Sequence, residues 1–251
     1  MMKTTLMMKK MISMMKTMMS EKSTPLKELC EGILLIDKPQ GVTSFSLIPK
    51  FRYLFKEKKI GHGGTLDPLA TGLMIYLVGK KYTKTADTYL MHSKEYSTTI
   101  LLGQERDSYD IDGKIIATSD KIPTLGEVTD AIASFNGTLE QTPPMFSAKK
   151  VNGKKLYELA RKGIEIERKS KTVTMETKLL AYDYPRVQIQ VKCSSGTYIR
   201  SIAHDLGLLL SCYGCVESLR RLASGGFTVD QCHSLEELNE LQPKTLLQQT
   251  L

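Results

Sequence analysis

The chain has no tryptophan, and only 4 histidines and 5 cysteines among 251 residues. The histidines (His62, His92, His204, His233) never fall at H-x-x-x-H spacing, which excludes the helical zinc-hydrolase signature. An odd number of cysteines in a chain this long excludes a disulfide framework and points to a reducing compartment, so a cytoplasmic location is expected. Cys212 and Cys215 stand at C-x-x-C spacing, but no second pair follows and Cys232-His233 is a poor substitute, so no zinc site is expected. Uninterrupted apolar stretches are missing as well. The first twenty residues, MMKTTLMMKKMISMMKTMMS, hold nine of the 13 methionines, but lysines at 3, 9, 10 and 16 break every run. None reaches the ~20 residues of a membrane span, and no signal-peptide core appears. Residues 1–28 are expected to be a disordered Met/Lys-rich extension, a start codon assigned too early or a basic amphipathic tether being the alternatives. Residues 29–251 are expected to form the folded domain. No internal repeat is visible.

Nucleotide fingerprints are also lacking. In GHGGTLDPLATG (61–72), Gly61, Gly63 and Gly64 invite a phosphate-loop reading, but Leu66 stands where G-x-G-x-x-G requires glycine. The pair Gly79-Lys80 has neither the P-loop spacing nor the Ser/Thr that follows it.

Positive charge is plentiful. The formal net charge is +8, the pI about 9.1, and basic residues recur at Lys149-Lys150, Lys154-Lys155, Arg168-Lys169, Lys171 and Arg220-Arg221. Any one cluster could be a solvated face. Their sum favours a polyanionic partner, nucleic acid ahead of a membrane surface.

Order is expected to begin at Gly32, where GILLIDKP reads as a short apolar strand stopped by proline. Ser44 is placed to cap a helix through FRYLF, with Pro49 complicating its first turns. LMIYLVG (73–79) and KEYSTTILLG (94–103) read as strands, and Asp112-Gly113 as a hairpin turn into KIIAT. Residues 124–135 and 154–163 read as helices, the second ending on Gly163. KTVTMETKLLAYDY and RVQIQVKCSS read as strands, Thr197 to Leu210 as a helix, and RRLASGGFTV as a final strand. Ser234 with Glu237 forms a capping box for a last helix. Antiparallel strands with interspersed helices predict an α+β fold rather than a βαβ alternation.

Asp67 is the one acid in the glycine-rich stretch. Pro68 restricts it to extended conformations, and the glycines allow backbone to lie close against a ligand. It could simply cap a helix starting at Pro68. It could equally be a covalent nucleophile, partnered by an arginine such as Arg200 in GTYIRS, where Tyr198 shares a face at strand spacing.

Six segments, GILLIDKPQGVTS, GHGGTLDPLATG, KEYSTTILLG, PPMFSAKKVNGKKLYELARKG, CSSGTYIRSIAHDLG and LRRLASGGF, stand in the order of the TruB family of tRNA pseudouridine synthases. From Gly32 to about Val229 the chain resembles that family. The resemblance implies a pseudouridine synthase fold, a mixed and mostly antiparallel sheet with flanking helices and a central catalytic cleft. It implies isomerisation of one uridine in the T-arm loop of tRNA, position 55 in standard tRNA numbering, to pseudouridine. Asp67 is implied as the catalytic residue, attacking the ribose C1′ or assisting glycal formation. His62 is implied to fill space vacated in the RNA loop, Tyr96 to stack on the flipped base, and Arg200 to grip Asp67 bidentately. Tyr198 and Leu219 match positions lining the uracil pocket, with Lys38 a supporting residue. The family needs no metal, nucleotide or organic cofactor. The partner implied is the T-arm stem-loop of tRNA, with no membrane, and a monomer is expected.

The chain departs from the family's commonest pattern in two places. After the catalytic domain no C-terminal PUA-type RNA-binding module is expected to fit. Gly63 stands where threonine is frequent, which removes a hydroxyl and is expected to loosen the loop. A tRNA-binding chaperone without chemistry and an Asp-dependent hydrolase of small substrates are the competing readings.

Overall fold

The computed structural model describes residues 30–147, 150–151, 153–160, 163–164 and 166–248. The Met/Lys-rich stretch 1–28 thus lies outside the described residues. The strands, in chain order, are β1 (Gly32–Lys38), β2 (Ile60–His62), β3 (Thr71–Val78), β4 (Lys94–Leu102), β5 (Gln104–Arg106), β6 (Ile115–Thr118) and β7 (Gly137–Gln141). They continue with β8 (Lys150–Val151), β9 (Lys154–Lys155), β10 (Lys171–Asp183), β11 (Arg186–Cys193), β12 (Gly214–Ser224), β13 (Phe227–Thr228) and β14 (Leu247–Gln248). Ten of them make one sheet in the order β14-β1-β3-β12-β4-β11-β10-β7, with β13 on β12 and β2 on β3. All its pairings are antiparallel except β3 with β12.

Side-chain alternation explains why the centre of this sheet is covered on both faces. In β1, Leu34 and Ile36 join one buried cluster while Ile33 and Leu35 join another. In β3, Met74, Tyr76 and Val78 face the first cluster, and Leu73, Ile75 and Leu77 the second. The first cluster is roofed by helices Ile48–Phe55, Leu125–Ala133 and Ile199–Leu209, and the second by Tyr82, Tyr89 and Phe227. Farther out, β10 buries only alternate residues, as a one-sided strand does.

The α+β expectation holds, and several local expectations are corrected. Helix Ile48–Phe55 has Leu47 at its N-cap with no side-chain cap, so Ser44 does not cap it. Pro49 lies in its first turn, where the missing N–H costs nothing. The helix read over 154–163 is described only as Leu156–Ala160, because Lys154-Lys155 pair with Lys150-Val151 as a two-strand ribbon. RRLASGGFTV is two strands, since β12 turns back through Gly225 into β13. The Ser234/Glu237 capping box forms, but it opens one 3-10 turn, Glu237–Asn239. Among the described residues no helix is long and apolar enough to cross a membrane.

Candidate active site

The parallel contact between β3 and β12 is two residues long, pairing Arg220 with Thr71 and Arg221 with Gly72. It lies at the point where the glycine-rich stretch enters β3. Asp67 is in the turn just before. Its carbonyl accepts from Ala70 N at 3.1 Å, so Asp67-Pro68-Leu69-Ala70 is a turn with proline at its second position. No helix starts at Pro68, and the helix-cap reading of Asp67 gives way to this turn.

Both neighbours of Asp67 are fixed through their backbones. Leu66 N donates to Ser44 Oγ at 2.9 Å, and the Ser44 hydroxyl donates to Leu66 O at 3.0 Å. Ser44 is itself held, since the Tyr76 hydroxyl donates to Ser44 O at 2.8 Å. On the other side, Pro68 O accepts from Gly41 N at 2.8 Å and lies 3.4 Å from Lys38 Nζ. Lys38 also donates to Pro39 O and Val42 O, at 2.9 and 2.8 Å. Fully buried, Lys38 has its ammonium pushed down to about 8 by desolvation, against the pull of Asp67 and with a smaller push from Arg221.

Helix Ile199–Leu209 brings Arg200 to Asp67, with Nη2 2.9 Å from Oδ2. The arginine side chain is 6% exposed and the aspartate 42%, so the carboxylate is reachable while its partner is not. The grip is not bidentate. The guanidinium is shared, with Nη2 also donating to Phe146 O at 2.8 Å and Nη1 to Ser108 O at 3.0 Å. A second carboxylate, Asp110, lies 3.6 Å from Nη1. Burial raises the Asp110 pKa, while the Ser108 hydroxyl at 2.6 Å and Arg200 oppose that rise. Arg200 thus has an oxygen partner in four directions, which a buried guanidinium needs.

Tyr198 is the N-cap residue of that helix, extended in backbone, so it shares no strand face with Arg200. Gln141 clamps it, Oε1 accepting from Tyr198 N at 2.8 Å and Nε2 donating to Tyr198 O at 3.1 Å. Tyr96 and Leu219 are buried in one cluster on β4 and β12. Burial raises the Tyr96 pKa, and the Arg221 guanidinium beside it works the other way. His62 ends β2 with its ring edge-on to Tyr76 at 6.3 Å, and burial lowers its pKa.

The space beside Gly63 is already occupied. A Cβ there would stand 2.5 Å from Tyr89 Cβ, so helix Ala86–Met91 fills the space a threonine side chain needs.

Residues absent from the sequence-derived set also build this site. Arg221, read only as part of a basic pair, is 1% exposed. Its Nε donates to Leu73 O at 2.7 Å and its Nη2 approaches Met74 Sδ at 2.9 Å. Arg220 instead pairs with Asp37 at 2.6 Å. The available signal was spacing, because Arg221 follows the buried Leu219 by two and shares its strand face. Ser44 and Asp110 gave no such signal, because their partners are distant in sequence. Among the described residues, no group of His, Cys, Asp and Glu is arranged to hold a metal ion.

Residues 52–199 match the family model described as TruB family pseudouridylate synthase (N terminal domain). The chain belongs to the TruB family. Residues 200–251 of this TruB-family protein match the model of the tRNA pseudouridylate synthase B C-terminal domain. That stretch holds Arg200, most of its helix, and β12 to β14, which are part of the same ten-stranded sheet. The TruB-family chain is 55% identical over 213 residues to tRNA pseudouridine synthase B of Chlamydia muridarum, covering 85% of this chain and 88% of the relative. It is 49% identical over 229 residues to the enzyme of that name from Protochlamydia amoebophila, covering 91% and 86%. Among solved structures, the Cbf5-Nop10-Gar1 complex contains a chain that matches with a TM-score of 0.66 at 24% identity. That match covers 87% of this chain and 57% of the other, and it shows the shared fold.

Proposed function

We propose that this TruB-family isomerase converts the uridine at position 55 of the tRNA T-arm loop to pseudouridine, with Asp67 as the catalytic residue. The observation that carries this reading is the reachable Asp67 carboxylate held 2.9 Å from a buried arginine on a backbone pinned at both sides. Such fixing favours a group that must meet one reacting carbon in one orientation. The relatives named tRNA pseudouridine synthase B supply the substrate class.

The target base must leave the loop's stack before a carboxylate can reach its glycosidic bond, at a cost of roughly a few kcal/mol. Tyr96 stacks on the extruded base, recovering about 1–3 kcal/mol. Tyr198 and Leu219 line the uracil pocket, His62 fills the space left in the RNA loop, and Lys38 supports the turn from below. Asp67 then acts at C1′. The N1–C1′ bond breaks, the base turns over, C5 bonds to C1′, and the hydrogen on C5 leaves as a proton while N1 gains one. Atoms and electrons balance without an oxidant or reductant. The net charge of +8 assists binding of the phosphate backbone, and affinity falls as salt rises.

The test is nucleoside analysis of a T-arm transcript after incubation with the purified protein. Pseudouridine appears with the natural loop and disappears when the target uridine is replaced by cytidine. Its absence from both, with the transcript still bound, would favour a tRNA-binding chaperone.

A further inference from the structure

Arg200 is held by both ends of one short segment, Ser108-Tyr109-Asp110, through the Ser108 carbonyl and the Asp110 carboxylate. The ring of Tyr109, between them, lies flat on His204, with ring centroids 4.0 Å apart and planes 9° from parallel. His204 follows Arg200 by four residues on helix Ile199–Leu209, one turn along the same face. The segment therefore grips the helix at two successive turns, through oxygens at Arg200 and through a ring stack at His204.

Both rings are braced. Glu105 Oε1 is 3.2 Å from His204 Nδ1, each side chain 17% exposed. The Arg168 guanidinium stands beside the Tyr109 hydroxyl and donates from Nη1 to Pro143 O at 3.2 Å. Pro143 leads into Phe146, whose carbonyl is another of the Arg200 partners. Asp205 also faces the pair. The backbone of Tyr109 is fixed as well, its N–H bonding Arg106 O at 3.0 Å and its carbonyl accepting from Val216 N at 3.0 Å.

Tyr109 adopts φ +64°, a left-handed conformation unfavourable to an aromatic residue. Glycine would take it without strain. A tyrosine kept there implies that its ring has a use the backbone does not require.

We infer that Tyr109 and His204, braced by Glu105 and Arg168, are positioning residues that set the Arg200 guanidinium against Asp67. The inference rests on the catalytic reading above and adds a layer of support behind it. Neither residue touches substrate in this role, so their loss slows the chemical step without weakening RNA binding.

The experiment compares Tyr109→Gly, Tyr109→Phe, His204→Ala and His204→Phe with the wild type in single-turnover conversion and RNA binding. Tyr109→Gly is expected to keep or raise the melting temperature, since it relieves the left-handed backbone. Its rate constant is expected to fall about tenfold or more, with RNA affinity within about twofold, as follows when a catalytic pair is misplaced. Tyr109→Phe and His204→Phe, which retain a stacked ring, are expected to stay within about threefold of wild type, while His204→Ala behaves like Tyr109→Gly. A wild-type rate in Tyr109→Gly, or a loss that follows melting temperature or affinity, overturns the inference. If Tyr109→Gly does not fold, the contrast between His204→Ala and His204→Phe decides in the same way. A crystal structure of Tyr109→Gly, or of His204→Ala, reads the inference even if the wild type proves inactive on this RNA. Arg200 moved out of hydrogen-bond reach of Asp67 supports the inference, and an unmoved Arg200 overturns it.

Discussion

Ser44→Ala removes a single oxygen, yet it should disturb the residue next to Asp67. Ser44 is 2% exposed and Leu66 4%, so water does not replace the lost hydroxyl. Leu66 N, now 2.9 Å from Ser44 Oγ, is left without that acceptor, and Leu66 O loses a donor at 3.0 Å. A buried donor stripped of its partner costs about 1–3 kcal/mol. The expected loss of unfolding free energy is therefore roughly 2 kcal/mol, measured by urea titration. The same bonds fix the backbone just before the catalytic carboxylate. Each ~1.4 kcal/mol needed to restore that placement in the transition state slows the reaction about tenfold, so a fall of roughly 5- to 30-fold in the single-turnover rate is expected. Thr43→Ala is the control, because the bond Thr43 Oγ1 accepts from Ser46 N at 3.1 Å is exposed, and both measurements should stay near wild type. A Ser44→Ala protein that loses stability but keeps the wild-type rate would refute the claim that Ser44 positions Asp67. One that loses neither would refute the buried bond itself.

Two further outcomes follow from the same loop. Gly72→Ala puts a Cβ 2.3 Å from Arg221 O, and φ at this position is +98°, so both backbone strain and collision oppose it. A loss of about 3 kcal/mol or more is expected in urea unfolding, and a near-neutral result would mean that β3 and β12 are not packed this closely. Lys38 contributes a pH dependence that its replacement should isolate from that of other desolvated groups such as Lys94. Desolvation holds its folded pKa near 8, below the ordinary 10.5, so between these values the unfolded chain binds more protons and stability rises with pH. Below pH 8 the lysine is charged in both states, and the cost of burying that charge is fully felt. The wild type should thus gain up to about 2–3 kcal/mol relative to Lys38→Met between pH 8 and 10.5. Parallel stability curves would show that the charge is solvated in the folded protein.

How far the sequence went depended on whether a residue's partners lie nearby in the chain. Strands β1, β3, β4, β10 and β11 could be read because alternation and apolar runs are local. The capping box at Thr124 and Glu127 is equally local, and the helix expected there is present. Ser44 was misassigned because serine before a helix is an ordinary cap, whereas its partner, Leu66, is 22 residues away. Asp67 and Arg200 were singled out through motifs, and their 2.9 Å approach is a product of the tertiary fold. That one of two adjacent arginines is buried and the other paired with Asp37 depends on which face of β12 meets the core. Asp110 sits in a turn-like D-x-D-G stretch, and nothing local distinguishes an acid that approaches Arg200 from one that merely shapes a turn.

The most direct test follows tritium released from carbon 5 of uridine in a labelled T-arm transcript, comparing the wild type with Asp67→Asn. The C5 hydrogen leaves only if carbon replaces nitrogen at the sugar, and the substitution keeps the size of the side chain while removing its charge. The account predicts release by the wild type and none by Asp67→Asn, with both proteins binding the transcript. Equal release by the two would contradict the role given to Asp67, and release by neither, with binding intact, would contradict pseudouridine formation on this RNA.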